Sequence, residues 1–199
     1  CDRLIEEGLN YTWACGNGIR ADKVDAELAQ KMKQAGCSLV CVGVENADPV
    51  VFSSINKGET LEDIKKGVHL LKDAGIEVVG FFIIGLPGDT KRSSEMALDF
   101  IREARLDSAR FGILLPYPKT AVYDDLVKTA TFLKDYKDGI HFSDKMCPVF
   151  ETAVFSAAEM VETYERLYTR LRYFTFLMPQ ELTNYEMKKR TLKLLWKYD

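Results

Sequence analysis

Four short polar or glycine-rich segments carry the residue types that could bind a ligand. They are Cys-Gly-Asn-Gly-Ile-Arg-Ala-Asp at 15–22, Gly-Val-Glu-Asn at 43–46, Gly-Leu-Pro-Gly-Asp-Thr at 85–90 and Pro-Tyr-Pro-Lys-Thr at 116–120. Each follows an apolar segment that predicts a β-strand, at residues 11–15, 39–44, 76–86 and 109–115. Because parallel α/β proteins bind ligands beyond the carboxyl ends of their strands, these four ends indicate one ligand-binding face.

Three residues in these segments are individual candidates for binding. Arg20 presents a rigid fork of donors that suits a carboxylate, and the alternative is a salt bridge to Asp22 or Asp25. Glu45 can accept hydrogen bonds from an amine or from sugar hydroxyls, and the alternative is a helix cap or a structural ion pair. Gly85 lets a planar ring approach the backbone closely, or it is a simple turn glycine. The residues alone leave each alternative open.

The composition excludes several classes of function. The 199 residues carry a formal net charge of −3, because 27 Lys and Arg stand against 30 Asp and Glu. That balance argues against a general electrostatic grip on nucleic acid, which needs clustered positive charge. Apolar residues make up 47% of the chain, which is typical of a folded globular protein. The longest apolar run, at 78–86, is too short to span a bilayer.

The five cysteines and two histidines do not form a metal-binding pattern. Cys37 and Cys41 are predicted to lie in one strand, where cysteine serves as a small buried apolar side chain. An odd number of cysteines without a signal-peptide pattern indicates reduced thiols and a cytoplasmic protein. The segment at 85–90 lacks the Gly-Lys-Ser/Thr ending of a phosphate loop, which argues against nucleotide triphosphate binding.

Helical patterns between the predicted strands must position these segments. Asp25 and Thr60 are predicted N-caps, and Gly36 and Gly75 are predicted stops. The Lys-x-Ala-Gly sequence at 33–36 returns at 72–75, about one strand–helix unit later. Recurring units of this kind predict parallel strands joined by right-handed helical crossovers. With four strands, the fold is either part of a (β/α)₈ barrel or a small open sheet.

The two ends of the chain differ from this pattern. The chain starts at Cys1 within an amphipathic segment, so we expect it to be a piece of a longer protein. Residues 1–120 are predicted to form the α/β part, and residues 121–199 a mainly helical extension. An open sheet leaves an exposed edge, which predicts self-association through that edge. The basic tail, which includes Lys188, Lys189 and Arg190, is interpreted as a solvated helix face or as a contact with an acidic partner or another domain.

The ordered set of strand-end segments resembles the radical S-adenosylmethionine (SAM) enzymes. It is most similar to the branch with an upstream cobalamin-binding domain, such as the anaerobic Mg-protoporphyrin ester cyclases and related methyltransferases. The matching segments are Tyr-Thr-Trp-Ala-Cys at 11–15 with Arg-Ala-Asp at 20–22, Met-Lys-Gln-Ala-Gly-Cys at 32–37, Val-Gly-Val-Glu-Asn at 42–46, Ile-Asn-Lys-Gly at 55–58, Gly-Phe-Phe-Ile-Ile-Gly-Leu-Pro-Gly-Asp-Thr at 80–90 and Pro-Tyr-Pro-Lys-Thr at 116–120.

The resemblance implies a six-stranded partial TIM barrel with SAM across the strand ends, beside a 4Fe–4S cluster. Glu45 would contact the ribose or the amino group of SAM, and Arg20 is a candidate for the polar end of that cofactor. Asn46 stands beside Glu45, where the family often has Ser or Thr. The implied chemistry is one-electron reductive cleavage of SAM to a deoxyadenosyl radical, or methyl transfer through cobalamin held by an upstream domain.

For the adenine ring, the resemblance implies contacts from two strand ends. Ile83 and Gly85 would lie along the ring by their backbone, with Leu115 and Pro116 near its other side. The acidic residue of the family's adenine motif falls at or beside Gly88 and Asp89.

One motif of the family is missing from the 199 residues. The cluster-binding Cys-x₃-Cys-x₂-Cys does not occur, and Cys1 lies too close to the strand at 11–15 to be its last member. By this alignment the chain lacks the first two strands, and the cluster ligands lie outside it. The resemblance therefore predicts that this piece alone is inactive.

Two other functions were compatible with the sequence. A non-radical TIM-barrel enzyme, such as an aldolase or isomerase, would use Arg20 to bind an anionic small-molecule substrate and would need neither iron nor SAM. A non-catalytic α/β binding module would dock a partner through the basic C-terminal helix.

Overall fold

The computed structural model describes residues 1–135, 137 and 148–174. Its centre is a four-stranded parallel sheet whose strands follow one another in the order of the sequence. The strands are β1 (Trp13–Ile19), β2 (Cys37–Glu45), β3 (Glu77–Ile84) and β4 (Ser108–Ile113). Sequential parallel strands with helical crossovers confirm the predicted α/β class and the predicted partial barrel.

Helices precede, connect and follow these strands. They are α1 (Asp2–Glu6), α2 (Ala26–Gln34), α3 (Pro49–Ser54), α4 (Leu61–Asp73), α5 (Lys91–Glu95), α6 (Ala97–Glu103), α7 (Ala121–Thr129) and α8 (Ala157–Phe174). A single 3₁₀ turn, Ala21–Lys23, lies between β1 and α2. The helical segment between β3 and β4 is divided at Met96 into α5 and α6.

Helix α4 forms because its local signals agree with one another. The Asp63 N–H donates to Thr60 Oγ1 at 3.0 Å, and the Thr60 N–H donates to Asp63 Oδ2 at 3.1 Å, which is a capping box. Ile64, Val68 and Leu71 share one face and are fully buried. Burying three such aliphatic side chains contributes roughly 5–9 kcal/mol before conformational entropy is counted.

The two faces of the sheet have different surroundings. On the outer face, Val42, Phe82 and Phe111 belong to the hydrophobic core, and the Phe82 and Phe111 rings stack with centroids 5.3 Å apart. Because side chains alternate along a strand, the intervening residues point to the opposite face of the sheet. We call this face, which lines the interior of the partial barrel, the inner face. The inner face carries Cys41 and Gly43 of β2, Phe81 and Ile83 of β3, and Arg110 and Gly112 of β4.

Strand β4 is one edge of the sheet, and helix α8 covers part of it. The Phe111 N–H donates to the Tyr168 hydroxyl oxygen at 3.0 Å, and that hydroxyl donates to the Phe111 carbonyl at 3.3 Å. The Tyr168 ring also packs edge-on against the Phe111 ring, with centroids 5.4 Å apart. Tyr168 therefore satisfies backbone groups that another strand would otherwise bind.

Replacing Tyr168 by phenylalanine should lower the free energy of unfolding by about 1–3 kcal/mol, because the half-buried Phe111 backbone groups lose their partner. Urea unfolding followed by circular dichroism measures the change. Tyr123→Phe is the control: the Tyr123 ring packs on Phe132, and within the described chain its hydroxyl makes no hydrogen bond. Equal stability of the two variants would show that the hydrogen bonds between Tyr168 and the Phe111 backbone do not stabilise the protein.

The C-terminal part contains a small β-sheet in addition to helices. Strands β5 (Ala130–Phe132) and β6 (Phe150–Thr152) form a two-stranded antiparallel sheet that the sequence did not predict. Helix α8 begins at a capping box, in which the Ser156 N–H donates to Glu159 Oε2 at 2.9 Å. Three of its buried apolar residues belong to the same hydrophobic core as the four-stranded sheet: Met160, Leu167 and Leu171.

Strand β1 is the other edge of the four-stranded sheet. Ala14, Gly16 and Asn17 are exposed there, and self-association through this edge stays a prediction. The division of the chain at residue 120 also stays a prediction. The basic tail that contains Lys188, Lys189 and Arg190 lies outside the described residues. Among the residues described, no helix combines the length and the apolar character that crossing a membrane requires.

Candidate functional site

The carboxyl end of β2 closes in a strained turn at Glu45. Glu45 has a φ of 66°, in the left-handed region that non-glycine residues rarely adopt. The Asn46 N–H donates to the Val44 carbonyl at 2.9 Å, so Glu45 is the central residue of a γ-turn. Backbone strain of this kind costs on the order of 1–3 kcal/mol and clusters at functional positions. The turn directs the Glu45 side chain back over the inner face.

Lys57 holds the Glu45 carboxylate in that position. Its Nζ lies 3.3 Å from Glu45 Oε1 and 3.1 Å from Glu59 Oε1, and it also donates to the Gly43 carbonyl. The side chains of Lys57 and Glu45 are 20% and 25% exposed, so the pair is accessible to a ligand yet shielded from bulk water. Gly43 makes room for both, because a Cβ there would overlap Glu45 Oε1 and lie 2.9 Å from Lys57 Nζ.

Gly43→Ala should disturb this pair without unfolding the protein, because the atoms in the way are the ends of flexible side chains. Loss of one charge-assisted hydrogen bond is worth about 1.5–3 kcal/mol, so the predicted SAM-binding role of Glu45 implies that SAM affinity falls by at least about tenfold. Isothermal titration with SAM and thermal unfolding measure the two quantities. Gly16→Ala is the control, since nothing lies within 4 Å of its Cβ position. Unchanged SAM affinity in Gly43→Ala would remove Gly43 from the site.

Arg20 is engaged by the protein itself. Its Nε and Nη2 donate to the two oxygens of Asp22 at 2.7 and 2.9 Å, and its Nη1 and Nη2 donate to the carbonyls of Lys57 and Gly58 at 3.1 and 3.0 Å. The hydrogen bonds from Arg20 hold the pKa of the Asp22 carboxyl well below its usual value. The structure therefore contains the salt bridge to Asp22 that was the alternative interpretation of Arg20. Arg20 positions the loop that carries Lys57, and its contact with a cofactor stays a prediction.

Asp89 joins two other predicted site residues. Its carboxylate is 2% exposed and accepts from the Gly85 N–H at 2.8 Å and from Asn46 Nδ2 at 3.1 Å. It also accepts from the Thr90 N–H at 2.9 Å, from Ser94 Oγ at 2.8 Å and from Ser93 Oγ. Five donors thus surround one buried carboxylate. We call this cluster, Asn46, Gly85, Asp89, Thr90, Ser93 and Ser94, the Asp89 clamp; it ties the end of β2 to the end of β3.

Gly85 is required by the backbone and by its neighbours. Its φ is +89°, and a Cβ there would lie 3.3 Å from Met160 Sδ and 3.4 Å from the Phe150 ring. The space on this side of Gly85 is filled by the C-terminal part of the chain. The turn interpretation of Gly85 therefore holds, and any ring that approaches its backbone must come from another side.

Ile83 and Gly112 form an open apolar surface on the inner face. The two residues are paired in neighbouring strands, and nothing lies within 4 Å of the Cβ position of Gly112. The Leu114 N–H continues the strand pairing by donating to the Ile84 carbonyl at 2.8 Å. Leu115 is half-buried and Pro116 is buried directly beyond this point, so both lie after the carboxyl end of β4.

Two networks connect predicted site residues at the carboxyl ends of the strands. Lys57 links Arg20 to Glu45, and Asp89 links Asn46 to Gly85. Glu45, Asn46 and Ile83 also border a void of about 10 Å³, whose other lining residues include the core side chains of Phe82, Ala97 and Phe111. A void of this size holds about one water molecule at most, so a ligand would lie instead on the open inner-face surface of Ile83 and Gly112.

The residues present are chemically compatible with an adenosyl group. The Glu45 carboxylate can accept hydrogen bonds from hydroxyl or amino groups, and Gly112 leaves space above the apolar surface that it forms with Ile83. Residues 1–135, 137 and 148–174 contain no group of three or more His, Cys, Asp or Glu side chains that could hold a metal ion. Cys37 and Cys41 are buried free thiols, and burial raises the pKa of both. They occupy the core positions that the sequence predicted and are unsuited to bind an iron–sulfur cluster.

Sequence reasoning missed the partners of the predicted residues. Lys57 appeared only as part of the segment at 55–58, without a role. Glu59 was not considered, although its side chain is 1% exposed and reaches Lys57 and Arg20. The alternating charges Lys-Gly-Glu at 57–59 were the available signal. These charges can pair with Glu45 and Arg20 only when the loop folds back over β2.

Comparison with known proteins finds a family match for the first three strand-end segments. Residues 5–101 match the model of the Radical SAM superfamily. An uncharacterized methyltransferase of Pyrococcus horikoshii is 33% identical over 122 residues, which are 61% of this chain and 26% of that protein. The anaerobic magnesium-protoporphyrin IX monomethyl ester cyclase of Rubrivivax gelatinosus is 29% identical over 63% of this chain and 23% of its own length. The chain thus spans about a quarter of these relatives.

A solved structure shares the fold. The radical SAM methyltransferase TsrM of Kitasatospora setae, with tryptophan substrate and a SAM analogue bound, superposes with a TM-score of 0.55 at 18% identity. The superposition covers 82% of this chain and 33% of TsrM. At this identity the likeness concerns the fold alone.

Proposed function

Residues 5–101 of this chain belong to the radical SAM superfamily, and on that premise we propose that the chain is the C-terminal part of the SAM-binding barrel of a larger enzyme. That enzyme cleaves SAM reductively and uses it for radical or methyl-transfer chemistry on a small-molecule substrate. The observation that carries the proposal is the strained Glu45 turn, which places a Lys57-paired carboxylate beside the open surface of Ile83 and Gly112.

In this proposal the residues of the chain bind and orient SAM. The Glu45 carboxylate accepts hydrogen bonds from the ribose hydroxyls or the amino group, while Lys57 fixes its position. Ile83, Leu115 and Pro116 contact the adenine ring. The Asp89 clamp sets the distance between the ends of β2 and β3, so that both contacts act on one molecule.

The chemistry needs a group that the described residues do not hold. A 4Fe–4S cluster supplies the electron for SAM cleavage when it is bound, and in our proposal its cysteine ligands come from a segment outside this chain. Cobalamin in a preceding domain, as the relatives' branch suggests, is a further part of the proposal. A cytoplasmic location fits a protein with free buried thiols.

The test uses the full-length protein, reconstituted anaerobically with iron and sulfide and given SAM and a strong reductant. We expect 5′-deoxyadenosine or S-adenosylhomocysteine to form only when iron, SAM and reductant are all present. Glu45→Gln should reduce the rate at sub-saturating SAM, with Glu62→Gln, an exposed helical carboxylate, as the matched control. A full-length protein that binds no iron, or that turns over a substrate without SAM, would refute the proposal and favour a non-radical barrel enzyme.

A further inference from the structure

Arg110 differs from the other described arginines because it lies in a strand. Five of the others form ion pairs with carboxylates: Arg3, Arg20, Arg102, Arg105 and Arg166. Arg92 and Arg170 make no ion pair within the described chain, but both lie on exposed positions of helices. Arg110 is exposed and, within the described chain, makes neither an ion pair nor a hydrogen bond. Its backbone nevertheless pairs with the centre of the sheet, opposite Phe81 of β3. The residue lies in the middle of β4, and its neighbours Ala109 and Phe111 point into the core on the outer face.

The strand register places Arg110 in one row with Gly43 and Phe81 on the inner face. Phe81 pairs with Gly43 on one side and with Arg110 on the other. Neighbouring strands are about 4.8 Å apart, so Gly43 and Arg110 are separated by roughly 10 Å. The Glu45–Lys57 pair lies over Gly43. The row therefore has a neutralised ion pair at one end, an aromatic ring in the middle and an uncompensated guanidinium at the other end.

Among the residues that the structure describes, no other charge on the inner face neutralises Arg110. Glu77 lies on the same face, but it is four residues before Phe81 along β3, which corresponds to roughly 13 Å. Cys41 is close enough for Arg110 to act on its pKa, yet burial raises that pKa and keeps the thiol neutral. Lys57 carries the same charge as Arg110, and its partners are Glu45 and Glu59.

We propose that Arg110 is an anion-binding subsite of the inner face and pairs with the carboxylate of a largely apolar acid. Phe81 and Ile83 are half-buried and supply the apolar surface beside it, one row apart along β3. A guanidinium binds a carboxylate through two parallel hydrogen bonds, which fixes the orientation of the molecule as well as its charge. The inference rests on the proposed function in one respect, namely that the bound acid is the substrate.

The test uses the full-length protein and a matched pair of probes, 3-phenylpropionate and its neutral amide, 3-phenylpropionamide. Titration calorimetry should show that the wild type binds the acid more tightly than the amide. Arg110→Gln should weaken acid binding at least tenfold and leave amide binding unchanged. Arg92→Gln, which removes an exposed arginine from helix α5, is the matched control and should leave both affinities unchanged. Circular dichroism confirms that the variants are folded.

Three results would overturn the subsite: equal acid affinity in Arg110→Gln and wild type, equal affinity of the wild type for acid and amide, or no binding of either probe. The last result is the one expected if an acidic side chain of another segment occupies Arg110. SAM cleavage by the same preparations separates this inference from the proposed function. If the wild type binds the acid through Arg110 but never cleaves SAM, the anion-binding subsite is confirmed and the proposed radical SAM function is wrong.

Discussion

Replacing Asp89 by alanine should lower the free energy of unfolding by about 3–5 kcal/mol, because removing one partner of a buried charged cluster leaves the others unsatisfied. Asn46 Nδ2, the Gly85 N–H and the Ser94 hydroxyl would lose an acceptor in a place where the carboxylate is 2% exposed. The same change should weaken SAM binding, because the ends of β2 and β3 are no longer tied together.

Asp99→Ala is the matched control for this prediction. The Asp99 side chain is 72% exposed on helix α6 and its contact with Arg102 is 3.4 Å, so its loss should change stability by less than about 0.5 kcal/mol. Asp89→Asn tests the charge: it keeps the shape but presents one amide group to surrounding donors, and we expect an intermediate loss. Urea unfolding gives all three values. If Asp89→Ala is as stable as Asp99→Ala, the clamp does not stabilise the fold.

The second large effect is expected at Gly67, which is buried in helix α4 against the 3₁₀ turn Ala21–Lys23. A Cβ at Gly67 would overlap the Ala21 carbonyl oxygen and lie 2.7 Å from the carbonyl carbon. These are backbone atoms, so they cannot swing aside as a side chain can. We expect Gly67→Ala to destabilise the protein by about 1–3 kcal/mol, even though alanine favours the helix by about 1 kcal/mol.

Gly67→Ala should also disturb the candidate site, because Ala21 is flanked by Arg20 and Asp22. A displaced turn would loosen the Arg20–Asp22 pair and, through the Lys57 carbonyl, the loop that positions Glu45. Gly112→Ala is the stability control, since nothing lies within 4 Å of its Cβ position. Thermal unfolding measures both variants. A Gly67→Ala protein as stable as Gly112→Ala would show that α4 and the turn can move apart freely.

The sequence predicted best where signals are local. Asp25 and Thr60 were expected to cap helices, and each does, because a cap depends on residues three positions away. Strand limits depended on distant partners instead. Strand β1 was expected at 11–15 but runs over Trp13–Ile19, because its Cys-Gly-Asn-Gly segment resembles a loop until β2 pairs with it. The β5–β6 pair was missed because its three-residue strands lie far apart in the chain.

Which residues follow the strands could be predicted, but the contacts among them could not. Parallel topology places the carboxyl ends of all four strands at the same end of the sheet, and Glu45, Gly85 and Pro116 lie at or after three of these ends. Which side chains then pair depends on loops. Arg20 had two interpretations from sequence, and the loop at 57–58 decides which contact the structure contains. Asp89 looked like a residue of uncertain role, although its five donors come from residues 46, 85, 90, 93 and 94.

Equilibrium dialysis of radiolabelled SAM against the full-length protein tests most directly whether these strand ends bind the adenosyl group. Glu45→Gln should bind SAM at least about tenfold more weakly than the wild type, since one charge-assisted hydrogen bond is worth about 1.5–3 kcal/mol. Glu62→Gln should match the wild type. Equal SAM affinity in all three proteins, or no SAM binding by any of them, would contradict the account.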